Sequence, residues 1–175
     1  SCFTTVGFSS TAVAGWPDFD RYLLFLLAFT GACLGSPAGG LKTVRLLVLG
    51  RMTAEELRRT LHPHMVVCVR LDGLPVPDKV VGRLLALFFL TVVVLLSGTL
   101  AVAASGVPVL SALGLAAGCL TSTGHTAALF GFTEIGGLPA LGKSVCIGLM
   151  LLGRVEIFSA LLFACFVGER LRRRW

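Results

Sequence analysis

The sequence predicts an all-α polytopic membrane protein of the pore-loop type, with a re-entrant pore helix and a broken membrane helix. Three observations predict it. Of the 175 residues, 55% are hydrophobic and only 14% are charged, and the mean hydropathy is +0.91. A soluble domain carries about 25% charged residues, and a soluble fold of this length has no means of hiding so much apolar surface. The basic residues stand immediately beside the apolar runs. A short apolar run, ending in a polar stretch that contains glycine, lies between two runs long enough to cross a bilayer. At about 20 apolar residues per crossing, the chain holds a few spans and one domain.

The first span begins at Tyr22. The cluster Trp16-Pro17-Asp18-Phe19-Asp20-Arg21 precedes it and supplies an interfacial Trp anchor. The apolar run continues to Leu34, and Gly31, Gly35 and Gly39 then fall four residues apart. Such a pattern serves helix packing, but Pro37 and the pair Gly39-Gly40 oppose a continuous helix. A break within the membrane is the expectation. Irregular backbone at that depth is tolerated where it is buried in protein or lines a wet cavity. Leu41 to Leu49 resumes the apolar pattern. The polar stretch from Gly50 to Asp78 reads as a cytoplasmic connection, with a short surface helix from Thr53 to Leu61 opened by a Thr53–Glu56 capping box.

Val80 to Ala104 is long enough to span. Val107 to Leu120 is apolar but too short to cross, which fits a re-entrant segment. It runs into Thr121-Ser122-Thr123-Gly124-His125, and the glycine-rich stretch from Phe130 to Gly142 reads as a loop. Lys143 to Val167 completes the set as a third span. Lys42, Arg45, Arg51, Arg58, Arg59, Arg70, Lys79 and Arg83 form one basic group, and Arg170, Arg172, Arg173 and Arg174 another. Both flank apolar runs, so both belong on the cytoplasmic side. The first span then runs from outside to inside, the second returns, and the third runs inward again. The same positions argue against nucleic-acid binding, for which no soluble module is present.

Two strings carry the candidate chemistry. Thr4-Thr5-Val6-Gly7-Phe8 precedes the first span, and Thr121 to His125 precedes the third. Both are rich in hydroxyls and place one Gly before a ring. A cation leaving water needs a substitute oxygen shell, which stacked backbone carbonyls supply, and Gly permits the φ > 0 backbone that aims them. The candidate ion-binding residues are therefore Thr5, Val6, Gly7 and Phe8 with Ser122, Thr123, Gly124 and His125, centred on Gly7 and Gly124.

Arg154 is the second candidate. It lies about 16 Å along the helix axis from Lys143 at 1.5 Å per residue, near mid-membrane, where an isolated Arg is costly. Glu156 is two residues away and cannot face it on a helix. A wet, pore-facing Arg154 is the expectation, acting as a barrier to cations. His125 reads as a rim residue. His62 and His64 lack the third ligand that a metal site requires. The six cysteines show no CxxC spacing, so neither a metal site nor a disulfide framework is indicated. The first residues have no basic start of the kind a signal peptide carries, and the chain is expected to begin within something longer.

These residues resemble a known family. SCFTTVGFSST followed by WPDFDRYLLFLLAFTGACLGSPAGGLKTVR is similar to the third filter and following helix of Trk-type potassium uptake proteins, the TrkH/KtrB superfamily. The string Gly31, Cys33, Gly35, Ser36, Gly39, Gly40 and Lys42 resembles that family's intramembrane loop, and Leu151 to Phe158 its last pore helix. The resemblance implies a pore of four M1–P–M2 repeats. Residues 1–52 would hold the filter segment and outer-to-inner helix of repeat three, interrupted at 31–40. Residues 53–79 would be the cytoplasmic connection, and 80–175 a complete repeat four with a basic tail. It further implies filter glycines at Gly7 and Gly124, a pore-facing Arg at Arg154 and a gate at Gly31, Gly35, Ser36, Gly39 and Gly40.

The transported ion would be K⁺, with no cofactor. Expected partners are lipid, the remaining repeats, a second copy in a homodimer and a cytosolic nucleotide-binding subunit of the TrkA/KtrA type. The expected location is the bacterial inner membrane. The fourth string departs from the family, whose members often read Asn-Val-Gly-Pro there, and repeats one and two are absent. The competing reading is a non-conducting structural membrane subunit. No nucleophile and base share one side of the membrane, so an enzyme is not expected.

Overall fold

The structure, a computed structural model, describes residues 1–9, 13–33, 35–36, 39–61, 70–71, 74–75, 77–132, 135–155 and 166. A 3-10 turn at Val13–Gly15 leads into α1 (Asp18–Thr30), followed by α2 (Thr43–Leu61). A minimal antiparallel pair, β1 (Arg70–Leu71) and β2 (Leu74–Pro75), sets Arg70 opposite Pro75. The rest is helical: α3 (Asp78–Ala103), α4 (Val109–Thr121), α5 (Thr126–Leu129), a 3-10 turn at Ile135–Gly137, and α6 (Ala140–Arg154).

Proline sets where most of these helices start. Pro17, Pro77, Pro108 and Pro139 stand directly before α1, α3, α4 and α6, with φ between −53° and −63°. Proline's fixed φ suits a helix start, and its missing N–H would have no partner there. Its carbonyl still accepts the first helical bond, as in Ala112 N–H to Pro108 O at 2.8 Å and Lys143 N–H to Pro139 O at 3.1 Å. Pro139 therefore opens α6 three residues ahead of the Lys143 expected from the apolar run.

The core lies around α4. Ala112, Leu115, Ala116 and Cys119 of α4 pack with Val102 of α3, Ala127 of α5, Leu138, and Cys146 and Leu149 of α6. A helix as short and apolar as α4 is thus enclosed by protein, the condition under which a short segment is stable at membrane depth. Outward faces differ. Phe19, Leu23, Leu26 and Leu27 of α1 and Phe88, Phe89, Leu96 and Leu100 of α3 are exposed apolar residues suited to lipid. α1 docks on the loop after α5: Tyr22 and Phe25 meet the Phe130 ring edge-on at 5.7 and 5.5 Å, and Arg21 donates to Leu129 O at 3.3 Å.

One expectation is corrected. Leu41–Leu49 and a separate surface helix from Thr53 are instead one helix, α2, unbroken through Thr53. Thr53 caps nothing: its hydroxyl donates back to Leu49 O at 2.9 Å. Arg51 and Met52 are good helix formers, and Gly50 alone does not stop the helix. Among the described residues one helix, Lys79–Ala103, is long and apolar enough to cross a membrane. The described residues between α1 and α2 (31–33, 35–36 and 39–42) are not helical. α6 closes at Arg154, and the expected continuation of the third span through 156–167 lies outside the described residues except Phe166. Glu156, His62, His64, Pro37 and the basic tail also lie outside them.

Candidate functional site

The two glycine-bearing strings share one backbone pattern. Thr5 and Gly7 have φ of 54° and 79°, Ser122 and Gly124 have 57° and 65°, and Val6 and Thr123 between them have negative φ. A hydroxyl residue, any residue, then Gly is thus the same conformational triplet twice. A β-branched Thr at positive φ is a true outlier, so the fold around Thr5 enforces it.

The strings also touch. A β-carbon on Gly7 would fall on the carbonyl oxygen of Thr123, and His125 N would be 3.9 Å from it. Only glycine allows that approach. The later string is braced from below by α4, whose Gly118 O accepts from Thr123 N–H at 3.1 Å and Gly124 N–H at 3.2 Å. Thr121 donates to Ala117 O at 2.9 Å, so Thr123 is the donor in its 2.9 Å hydroxyl contact with Thr121. Thr123 and Thr121 are buried, whereas Ser122 and Gly124 face outward with Val6 and Phe8. The C-terminus of α4, the negative end of its dipole, feeds directly into this string.

Below lies the break. α1 stops at Gly31 with φ 66°, and Gly40 and Lys42 take φ of 84° and 62° before α2 begins. The ends are tied together: Leu41 N–H donates to Phe29 O at 3.2 Å, and the Thr43 hydroxyl to Gly31 O at 2.9 Å. Between them Gly39 is pressed against the backbone of Thr121, where a β-carbon would lie on the Thr121 carbonyl. Gly39 N–H donates to the Thr5 hydroxyl at 3.2 Å. On the other side of the same helix end, Gly153 meets the Leu120 carbonyl just as closely.

These contacts enclose a cavity of about 300 Å³ lined by Phe29, Ser36, Gly39, Gly40, Leu41, Lys42, Arg45, Leu87, Thr91, Leu120, Thr121, Gly153 and Arg154. Ser36, Gly39, Gly40 and Arg154, named from the sequence, are brought to one wall of space. Gly31 and Gly35 do not line it. Arg45, Leu87, Thr91 and Gly153 also line it but were not named as site residues from the sequence. Thr91 carried a usable signal, a polar residue in an otherwise apolar span. Gly153 carried another in its place beside Arg154. Three cationic side chains, Lys42, Arg45 and Arg154, line this cavity beside the C-terminus of α4. Among the described residues no cluster of His, Cys, Asp or Glu is able to hold a metal ion.

A family model described as a cation transport protein, TrkH, matches residues 1–170. The Trk system potassium uptake protein TrkH of Vibrio parahaemolyticus is 36% identical over 166 residues, covering 93% of this chain and 33% of that protein. The TrkH of Escherichia coli K12 is 33% identical over 163 residues, covering 92% of this chain and 33% of its own length. The crystal structure of the potassium transporter TrkH from Vibrio parahaemolyticus superposes with a TM-score of 0.86 at 34% identity, covering 93% of this chain and 34% of that one. The chain spans about a third of the length of these relatives.

Proposed function

This chain belongs to the TrkH family of cation transport proteins, and from that premise we propose that it forms part of the conduction pathway of a potassium uptake channel in the bacterial inner membrane. Residues 1–52 and 80–175 serve as the end of one pore repeat and the whole of the next, joined by a cytoplasmic connection at 53–79. Other repeats complete the ring. The observation that carries this reading is the contact between two strings with the same alternation in the sign of φ, Thr5–Gly7 and Ser122–Gly124.

In this mechanism K⁺ sheds water and is received by carbonyls of residues 5–8 and 122–125, assisted by the negative end of α4. It then meets the cavity below. Arg154 lines it together with Gly39 and Gly40, and the guanidinium and the loop form a barrier that moves aside to admit the ion. Flux is passive. A second copy of the channel and a cytosolic nucleotide-binding subunit are its proposed partners, and lipid covers the outer faces of α1 and α3.

The test is K⁺ uptake by cells deprived of their own uptake systems and carrying the full-length channel. Gly124→Ser is expected to weaken selection of K⁺ over Na⁺. Unchanged reversal potentials in mixed K⁺/Na⁺ solution would return the chain to the alternative, a non-conducting structural element.

A further inference from the structure

We propose that Thr5 is a latch residue: its hydroxyl holds the intramembrane loop closed by accepting the Gly39 amide, so that the filter and the gate move together. The inference rests on the reading of residues 5–8 and 122–125 as the filter. It begins from a buried donor. Gly39 lies outside any helix, is buried, and its N–H is met by Thr5 Oγ1 at 3.2 Å. A buried amide without a partner is strongly disfavoured, so with the loop docked this hydroxyl is what makes the closed position tolerable. With the loop swung away the same amide reaches water and no longer needs Thr5.

Two further observations bear on the same contact. Thr5 is a β-branched residue at φ 54°, a conformation that persists when its surroundings over-determine it. Gly39 presses on the Thr121 backbone, and Thr121 in turn shares a 2.9 Å hydroxyl contact with Thr123. The loop is therefore joined to the earlier string through Thr5 and to the later one through Thr121 and Thr123. Undocking it removes a constraint from both strings at once. Thr5 acts by positioning, through its side chain, apart from any role of its carbonyl toward the ion.

The experiment measures K⁺ flux and K⁺/Na⁺ selection in the full-length channel, normalised to the amount in the membrane. Thr5→Ala removes the acceptor and is expected to raise K⁺ flux about two- to tenfold, the shift in a closed–open equilibrium that loss of one hydrogen bond produces, and to lower K⁺/Na⁺ selection. Thr5→Ser keeps the acceptor and is expected to recover most of the closed behaviour. Gly39→Ala, which drives the loop off Thr121, is expected to raise flux as well. Combined with Thr5→Ala it should add little, because both release one contact. If Thr5→Ala does not reach the membrane, the isosteric Thr5→Val, also without a hydroxyl, replaces it. Equal behaviour of the Ala and Ser variants overturns the latch. Gly124→Ser separates the two levels: if it alters selection while Thr5→Ala does nothing, the latch alone fails. If neither alters transport, the filter reading fails with it.

Discussion

Gly7 and Thr123 meet backbone to backbone, so close that a β-carbon on Gly7 would clash with the Thr123 carbonyl oxygen. Gly7 precedes α1 and Thr123 lies between α4 and α5, and their contact brings two similar strings together. Gly124, the counterpart of Gly7, has open space where its β-carbon would be. The pair is alike in backbone conformation and unlike in surroundings, which makes the two glycines separable by mutation.

Gly7→Ala is expected to damage transport more than Gly124→Ala. Both substitutions force a side chain into positive φ, at about 1–2 kcal/mol for a non-glycine residue. Only at Gly7 does the new methyl also collide with fixed backbone. Parallel measurement of K⁺ uptake and membrane abundance decides it, and equal defects at the two sites count against the close approach at Gly7.

Arg154→Gln is expected to increase K⁺ conductance while leaving selection nearly as it was. The substitution removes a positive charge from the wall of the cavity and leaves both strings above untouched. Single-channel or whole-cell K⁺ currents at matched expression test this, and a conductance equal to wild type would rule Arg154 out as a barrier.

Gly153→Ala should push α6 away from the end of α4, because the added methyl lands on the Leu120 carbonyl. Backbone cannot yield as a flexible side chain does, so the helices separate or tilt and Arg154 moves with α6. The expected result is lower thermal stability in detergent together with altered K⁺ flux. A protein with unchanged melting temperature and flux would show that α6 does not rest on Leu120.

Leu129→Ala tests the packing beneath the site. Leu129 is completely buried, and large-to-small changes in cores cost about 2–5 kcal/mol. Lipid is as apolar as leucine, so the transfer part of that cost is small in a membrane and the packing part remains. The expected loss lies near the lower end, read as a fall in melting temperature or as greater urea or detergent sensitivity. Arg21 and Phe130 anchor α1 beside Leu129, so the variant is also expected to loosen α1.

What the sequence determined by itself is local. Apolar composition dictated helices, and the basic flanks predicted an orientation. Glycines 31, 35, 39 and 40 with Pro37 predicted a break, and the described residues between α1 and α2 are not helical. The hydroxyl-x-Gly strings were legible because positive φ is a property of single residues and their immediate neighbours. Proline before four helices marks their starts better than the hydropathy, a signal that the reading from apolar runs did not use. The capping box at Thr53 misled, because a capping motif takes effect only where the helix is already free to end, and α2 runs straight through it.

The tertiary structure alone decided which of these local features share a site. Gly7 and Thr123, Thr5 and Gly39, and Gly153 and Leu120 are distant in the chain. Their contacts exist because α4 is buried among α3, α5 and α6, and because Tyr22 and Phe25 dock α1 on Phe130. Nothing in a run of glycines says which carbonyl will fill the space that a missing β-carbon leaves. That is settled by how helices pack, and packing joins surfaces whose residues have no fixed separation along the chain.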